Sequence, residues 1–337
     1  MIIGVLAILG LVAGYYSYAA WLERGRCLKA EEKVVYEVLE NTRPGRVRIS
    51  VVDTVASTTV WSRNIVHPAP RSYRSFQASR CHFYIHQAFN YDYKNETTAP
   101  NFSFHIWRFP LFYNGTGKSL ILTSENETGE KGKRKSHYGR MFSIDPSENY
   151  ISLERNSIDK PDYALVIKNI KTGKDEYLLT LADLLKKYPT AAGSFDVGEW
   201  RTKPDGTIVL AGHLYQDMYK PAFYLLEAGS WKMRVWLTPE DFSGYGEYAM
   251  PQYSPYLAYT DFDVFGGIDV IEGQVFADKV ARGDREHLMV ADLETGTKKT
   301  IAEIPLVRSY RFNLRWVSEH ELEYTLPDGS AKVYEIQ

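Results

Sequence analysis

ALVIKNIKTGKDEYLLTL, residues 164–181, decides how the rest of the chain is read. It is an apolar run, a tight polar turn holding a glycine, and a second apolar run, the pattern of a β-hairpin. AFYLLEAGSWKMRVWL (222–237) and HLMVADLETGTKKTIAEI (287–304) repeat it, with Gly229 and Gly296 standing for Gly173. FSFHIWRFPLFYNGTGKSLILTS (102–124) lies above them, Gly117 on Gly173. A glycine at this point supplies the left-handed backbone that the turn requires.

A second hairpin precedes each of these. SIDPSENYISL (143–153), TKPDGTIVLAG (202–212), PQYSPYLAYTD (251–261) and WVSEHELEYTL (316–326) each give a strand end, a polar turn and another strand. Two hairpins per repeat of about 50 to 65 residues build a four-stranded antiparallel sheet, and such sheets repeated radially are propeller blades. The remaining chain from Arg46 onward reads as short strands parted by Gly, Pro, Asn, Asp and Ser, with one short helix around LADLLKKY (181–188).

SPYLAYTD followed by HLMVADLETGTKKTI, and KPDGTIVL followed by AFYLLEAGSWK, resemble the repeats of TolB-like β-propellers over residues 136–336. The resemblance implies a propeller and leaves the ligand open, because such propellers serve as scaffolds, binding modules and enzyme accessory domains. Five blades are expected, with six as the alternative. The units are 75–124, 136–181, 195–238, 246–305 and a last one from 308, to which RVRISVV near residue 50 would add a fourth strand.

GTGKS (115–119) ends like a nucleotide-binding loop. Phe112 stands where that loop's first glycine belongs, and LILTS reads as a strand where a phosphate loop must open a helix. No nucleotide is expected. The formal net charge of −2, with both signs interspersed, gives no pull toward nucleic acid.

From Ile2 to Leu22 the chain is uncharged and as long as a bilayer-spanning helix requires. A cleaved signal peptide competes, with Ser17 and Ala19 at the −3 and −1 positions, but its basic leading region is missing. CLKAEEKVVYEVLENTRPG (27–45) reads as a helix from the spacing of Leu28, Val35 and Leu39. The expected organisation is therefore a transmembrane anchor over 1–22, a helical stalk or linker over 23–45 and an all-β propeller over 46–337. Arg24, Arg26 and Lys29 would hold the flank in the cytoplasm; sequons at Asn95, Asn101, Asn114 and Asn126 speak for export. The extracytoplasmic side is the expectation, periplasmic or at the cell surface. Of the two cysteines, Cys27 lies so near the apolar run that a disulfide with Cys81 is the less expected arrangement.

The longest connection, DFDVFGGIDVIEGQVFADKVARGDRE (261–286), is where recognition is expected, since loops tolerate insertion. Its Asp261, Asp263, Asp269 and Glu272 could coordinate calcium, although the spacing is not that of a helix–loop–helix site. Otherwise no cofactor is expected. His82 and His86 would share one face of a strand, but without a third ligand they read as packing residues. Trp200, Tyr245, Tyr248, Tyr253, Tyr256 and Trp316 could form a stacking surface, of which Trp200 and Tyr253 are the ligand candidates. Catalysis is the less expected role. Its one surviving form is glycoside hydrolysis by channel carboxylates, with Asp145, Asp196 and Glu247 as candidates. The function expected is a membrane-anchored binding or scaffolding module for an envelope protein or a glycan.

Overall fold

The computed structural model describes residues 26–40, 45–67, 74–91, 98–112, 119–123, 136–157, 163–188, 194–215, 221–242, 246–261, 270–307 and 310–336. They fall into two compact units, one ending at Leu178 and one running from Leu179. Residues 1–25, and with them the expected anchor, lie outside the described residues. Among the described residues no helix is long and apolar enough to cross a membrane.

The first unit holds three antiparallel sheets. β1 (Glu32–Glu40), β2 (Gly45–Asp53) and β3 (Thr58–His67) form one; β4 (Arg74–Ala78), β5 (His82–Tyr91), β6 (Thr98–Pro110) and β7 (Ser119–Thr123) form the next. β8 (Ser136–Ile144), β9 (Tyr150–Ser157), β10 (Tyr163–Asn169) and β11 (Asp175–Thr180) form the third, its last strand reaching the unit boundary. Period-2 alternation assigns the two faces of the middle sheet. Phe83, Ile85 and Phe109 pack on Val47, Ile49, Val51 and Ile65 of the first sheet. Tyr84 and Ile106, one residue out of step, pack on Ile144, Ile151, Leu153 and Val166 of the third. A sheet covered on both faces buries apolar residues of both parities, as Phe83 and Ile85 on one face and Tyr84 on the other show.

The second unit opens with a short helix, α1 (Leu181–Lys187), where LADLLKKY predicts one; the Thr180 hydroxyl accepts from the Asp183 N–H at its N-terminus. Three sheets follow. β12 (Ser194–Phe195) and β13 (Glu199–Thr202) both pair with β14 (Ile208–Tyr215), which continues to β15 (Pro221–Glu227) and β16 (Met233–Trp236). β17 (Tyr248–Ala249), β18 (Tyr256–Thr260), β19 (Arg285–Asp292) and β20 (Lys298–Pro305) make the next, and β21 (Arg315–Trp316), β22 (Glu321–Thr325) and β23 (Ala331–Glu335) the last. Here too the middle sheet packs both ways. Leu257, Tyr259 and Ala291 meet Val209, Phe223, Leu225 and Trp236. Leu288 and Ile304 meet Phe312 and Tyr324, and Ala258 and Val290 meet Leu322.

The repeated turns form as the hairpin reading requires. Gly173 and Gly296 are left-handed, at φ 69° and 73°. Each donates its N–H to the carbonyl four residues back, Asn169 or Asp292. The side chains of those two residues accept the next amides, closing each turn twice. In the third copy the equivalent residue is Trp231, at φ 52°, which donates to the Glu227 carbonyl; Gly229 sits two residues earlier in the same turn. The glycine alignment is thus off by two residues there, because the loop uses a second left-handed residue. In the fourth copy β7 follows GTGKS as a strand paired with β6, and most of the turn itself lies outside the described residues.

Three expectations need correction. The stalk is not helical: residues 32–40 are β1, paired residue by residue with β2. Val34, Val35 and Val38 suit a strand, and Tyr36 packs its ring 5.2 Å from Phe76 and 5.8 Å from Phe83. The tertiary partner overrides the helical spacing. β2 does not extend the last sheet, since β1 and β3 occupy both its edges. Cys27 and Cys81 do form a disulfide. The segment after the apolar run is no free stalk; the Leu28 N–H donates to the Arg80 carbonyl beside it.

Candidate functional site

The site is built at the end of the second unit from which residues 261–284 leave. β18 ends at Thr260 and β19 begins at Arg285; between them the insertion carries α2 (Val270–Arg282). The sequence reads as a loop here, because Gly273 and the polar residues obscure the helical period. Val275 and Val280 on it are about half exposed, at 51% and 45%.

Asp261 closes the base of the insertion. Its carboxylate accepts the His287 N–H at 2.8 Å and pairs with His287 Nδ1 at 2.7 Å, and its own N–H donates to the His287 carbonyl. Beside it, Thr260 and Glu247 exchange bonds: the Thr260 N–H donates to the Glu247 carbonyl, and the Glu247 N–H to the Thr260 hydroxyl. The Glu247 Oε1 accepts the Leu314 N–H at 2.8 Å.

Glu286 is the group that sequence reading missed. It alternates with Leu288 and Val290 on β19 and so occupies a core position, 1% exposed. Extending the period of HLMVAD back by one residue would have placed it there. Its Oε1 and the Oε2 of Glu247 are buried and have no hydrogen-bond partner among the described residues. Burial pushes the Glu286 carboxyl up to about 7, and the negative charges of Asp261 and Glu247 add to the effect. Burial and the same two glutamates also raise the Tyr310 hydroxyl.

A second Asp–His pair stands in the neighbouring sheet. Asp196 lies in the break between β12 and β13, where it accepts the Gly198 and His213 N–H groups at 3.0 Å and pairs with His213 Nδ1 at 2.9 Å. Gly212 lacks a side chain because a Cβ there would lie 2.4 Å from Asp196 Oδ1 and 2.5 Å from the Tyr224 hydroxyl. Tyr248 joins the two sheets at this end: burial, then the Asp196 charge, raises its hydroxyl.

The residues singled out from sequence are only partly gathered here. Asp261 is in the site. Asp263 and Asp269 lie outside the described residues, as does the side chain of Glu272 on α2. Among the described residues no group of three or more His, Cys, Asp or Glu has the geometry to hold a metal ion. Trp200 is 8% exposed and belongs to the core. Tyr253 is half-buried, its hydroxyl donating to the Thr202 carbonyl at 2.6 Å. Tyr245 lies outside the described residues. Trp316 Nε1 donates to the Ala249 carbonyl beside a cleft of about 500 Å³. Asp145 is fully buried in the first unit and caps its own turn, accepting from Ser147 and from the Tyr150 N–H. His82 pairs with Glu148, and buried His86 packs at 5.9 Å from Phe142, both as packing residues.

Several solved structures are similar to this arrangement of sheets. The WD40 domain of SCAP from fission yeast is 9% identical, with a TM-score of 0.44, 89% of this chain and 69% of that one covered. The β-propeller domain of the trilobed protease from Pyrococcus furiosus is 11% identical, with a TM-score of 0.41 and 78% and 68% covered. TolB from Acinetobacter baumannii is 10% identical, with a TM-score of 0.29 and 90% and 79% covered. No family model and no curated protein matches it.

Proposed function

We propose that this is a β-propeller binding module, held at a membrane by its N-terminal apolar run with its sheets on the extracytoplasmic side, and that it takes a protein partner at the insertion end of the second unit. The observation that carries the binding role is α2, a helix with half-exposed valines inserted between two paired strands. A protein is favoured over a glycan because Trp200 and Tyr253, the stacking candidates, are committed to the core and to a backbone carbonyl. The Cys27–Cys81 disulfide supports the compartment, since such bonds persist where the surroundings are oxidising. A photo-crosslinker at Val275 in intact cells should give a discrete adduct that Val280→Asp abolishes, while one at Val333 should not. Equal labelling at both positions would end this reading. Thiol alkylation before and after reduction reads the compartment: cysteines free in the cell would argue for the cytoplasm.

Glycoside hydrolysis is the second reading, and Glu286 favours it. A carboxyl raised to about 7 beside the carboxyl groups of Asp261 and Glu247 suits a general acid among carboxylates. Asp145 and Asp196 are spent on backbone amides and do not join it. Release of reducing sugar from envelope polysaccharide, abolished by Glu286→Gln, would establish it; no release across pH 5–8 would discard it.

A further inference from the structure

We infer that the end of the first unit bearing the Cys27–Cys81 disulfide is a membrane-contact surface, with Val55 and Ala56 dipping into an anionic lipid interface and Lys29, Arg80, Lys171 and Lys174 meeting the headgroups. The inference rests on the anchor reading above and adds an orientation to it.

The N-terminal junction is pinned to this end by four independent contacts. Cys27 is bonded to Cys81; the Leu28 N–H donates to the Arg80 carbonyl. The Arg26 guanidinium lies 4.2 Å over the Phe112 ring and donates to Glu32 at 2.9 Å. Only residues 23–25 separate Arg26 from Leu22, where the apolar run ends. Four chain steps reach at most about 14 Å. The junction therefore stays within that reach of the end of the apolar run.

What this end exposes suits that position. The β2–β3 turn is fastened to the junction by two bonds from Thr54 to the Glu31 carbonyl, and at its tip Val55 is 84% exposed. A valine held in water by a turn whose amides are already capped by Asp53 has no folding role to explain it. The nearby turns share the same end: Glu148 reaches from the β8–β9 turn to Ser79, Cys81 and His82, and the Ile170 N–H donates to the Asn149 carbonyl. Charges are sorted across it. The carboxylates of Glu32, Asp53, Asp145 and Glu148 turn inward onto amides and side chains. Lys29, Arg80, Lys171 and Lys174 are exposed. The exceptions are Glu31, which stays partly exposed, and Asp175 and Glu176 at the start of β11, which are exposed, Asp175 being held by Lys168 at 2.5 Å. Cations outward with an apolar tip among them is the chemistry of an interfacial contact.

The test uses the full-length chain in phosphatidylcholine vesicles containing phosphatidylglycerol, with a nitroxide at Val55→Cys or, as control at the opposite end of β3, at Val66→Cys. The label at 55 should collide preferentially with oxygen and the label at 66 with a water-soluble nickel chelate. Reversing Arg80, Lys171 and Lys174 to Glu should move the label at 55 into water. Flotation separates the two claims. If the chain floats with pure phosphatidylcholine vesicles but the label at 55 is aqueous, the anchor stands and the orientation is overturned. If it floats only with the anionic vesicles, and reversal of Arg80 abolishes this, the surface stands without the anchor. Flotation with neither overturns both.

Discussion

Glu148 in the first unit and Glu286 in the second are both carboxyls buried where a sheet ends, yet their surroundings drive them in opposite directions. Burial works to raise each. At Glu148 this is outweighed: bonds from His82 and Ser79, the charge of His82 and the Cys81 N–H hold the carboxyl below the usual glutamate range. Glu319 repeats the arrangement in the second unit, accepting the Gln252 and Tyr253 N–H groups and the Ser254 hydroxyl. Glu286 meets two carboxylates and leaves an oxygen unpartnered, so its carboxyl rises to about 7. The same residue type is a fastener at one end and a poised acid at the other. Donors within reach decide which, not depth.

The comparison can be broken most forcefully at the disulfide that Glu148 supports. Cys27 and Cys81 close a loop with a sequence separation of 54, and Cys27→Ser should cost roughly 4 kcal/mol on the chain-entropy account. An unchanged urea midpoint for that variant would mean that the Leu28 and Arg26 contacts suffice. Next, Glu148→Ala should cost about 2–4 kcal/mol, since it strands the Cys81 N–H, removes the partner of His82 and leaves a left-handed residue, φ 58°, without its compensation. A loss under 1 kcal/mol would show that water replaces the carboxylate.

Opposite pH signs sharpen the contrast. Glu148, with its folded pKa lowered, contributes stability that is present above the unfolded value and lost as pH falls. Glu286, raised from 4.5 to about 7, contributes stability that is whole below 4.5 and lost as pH rises to about 7, roughly 3 kcal/mol at most. Denaturation of Glu286→Gln against pH should therefore lack the decline between those values; a curve parallel to wild type would remove Glu286 as its source. Smallest is a pair of glycines. Gly212→Ala should cost about 2 kcal/mol by driving a methyl into Asp196 and Tyr224. Gly173→Ala, with open space around its Cβ but φ 69°, should cost about 1 kcal/mol. Equal losses would mean that Asp196 and Tyr224 give way to the methyl at little cost.

Hairpins are local, and so much of the chain between 136 and 336 could be read directly: the turn glycines Gly173 and Gly296, the helix at 181–187 and the alternation of β18 and β19 stand where their residues place them, while α2 and the Trp231 turn do not. Residues 27–53 could not be read so. Val34, Val35 and Val38 satisfy helix and strand spacing alike, and β2 with its open edge settled the choice. Of the site, Asp261 was visible as an acid in the longest connection and Glu247 as a channel carboxylate. Glu286 was hidden because an acid inside an apolar strand looks like the end of a loop.

What the sequence determined by itself was the all-β class and its repeating hairpins, because side-chain period and turn residues act over a few neighbours. Tertiary structure alone decided three things: the disulfide at Cys81, the pairing of β1, and which glutamate meets donors and which meets other carboxylates. Those depend on groups up to 69 residues apart, as Glu148 and Ser79 are, brought together only when sheet packs on sheet.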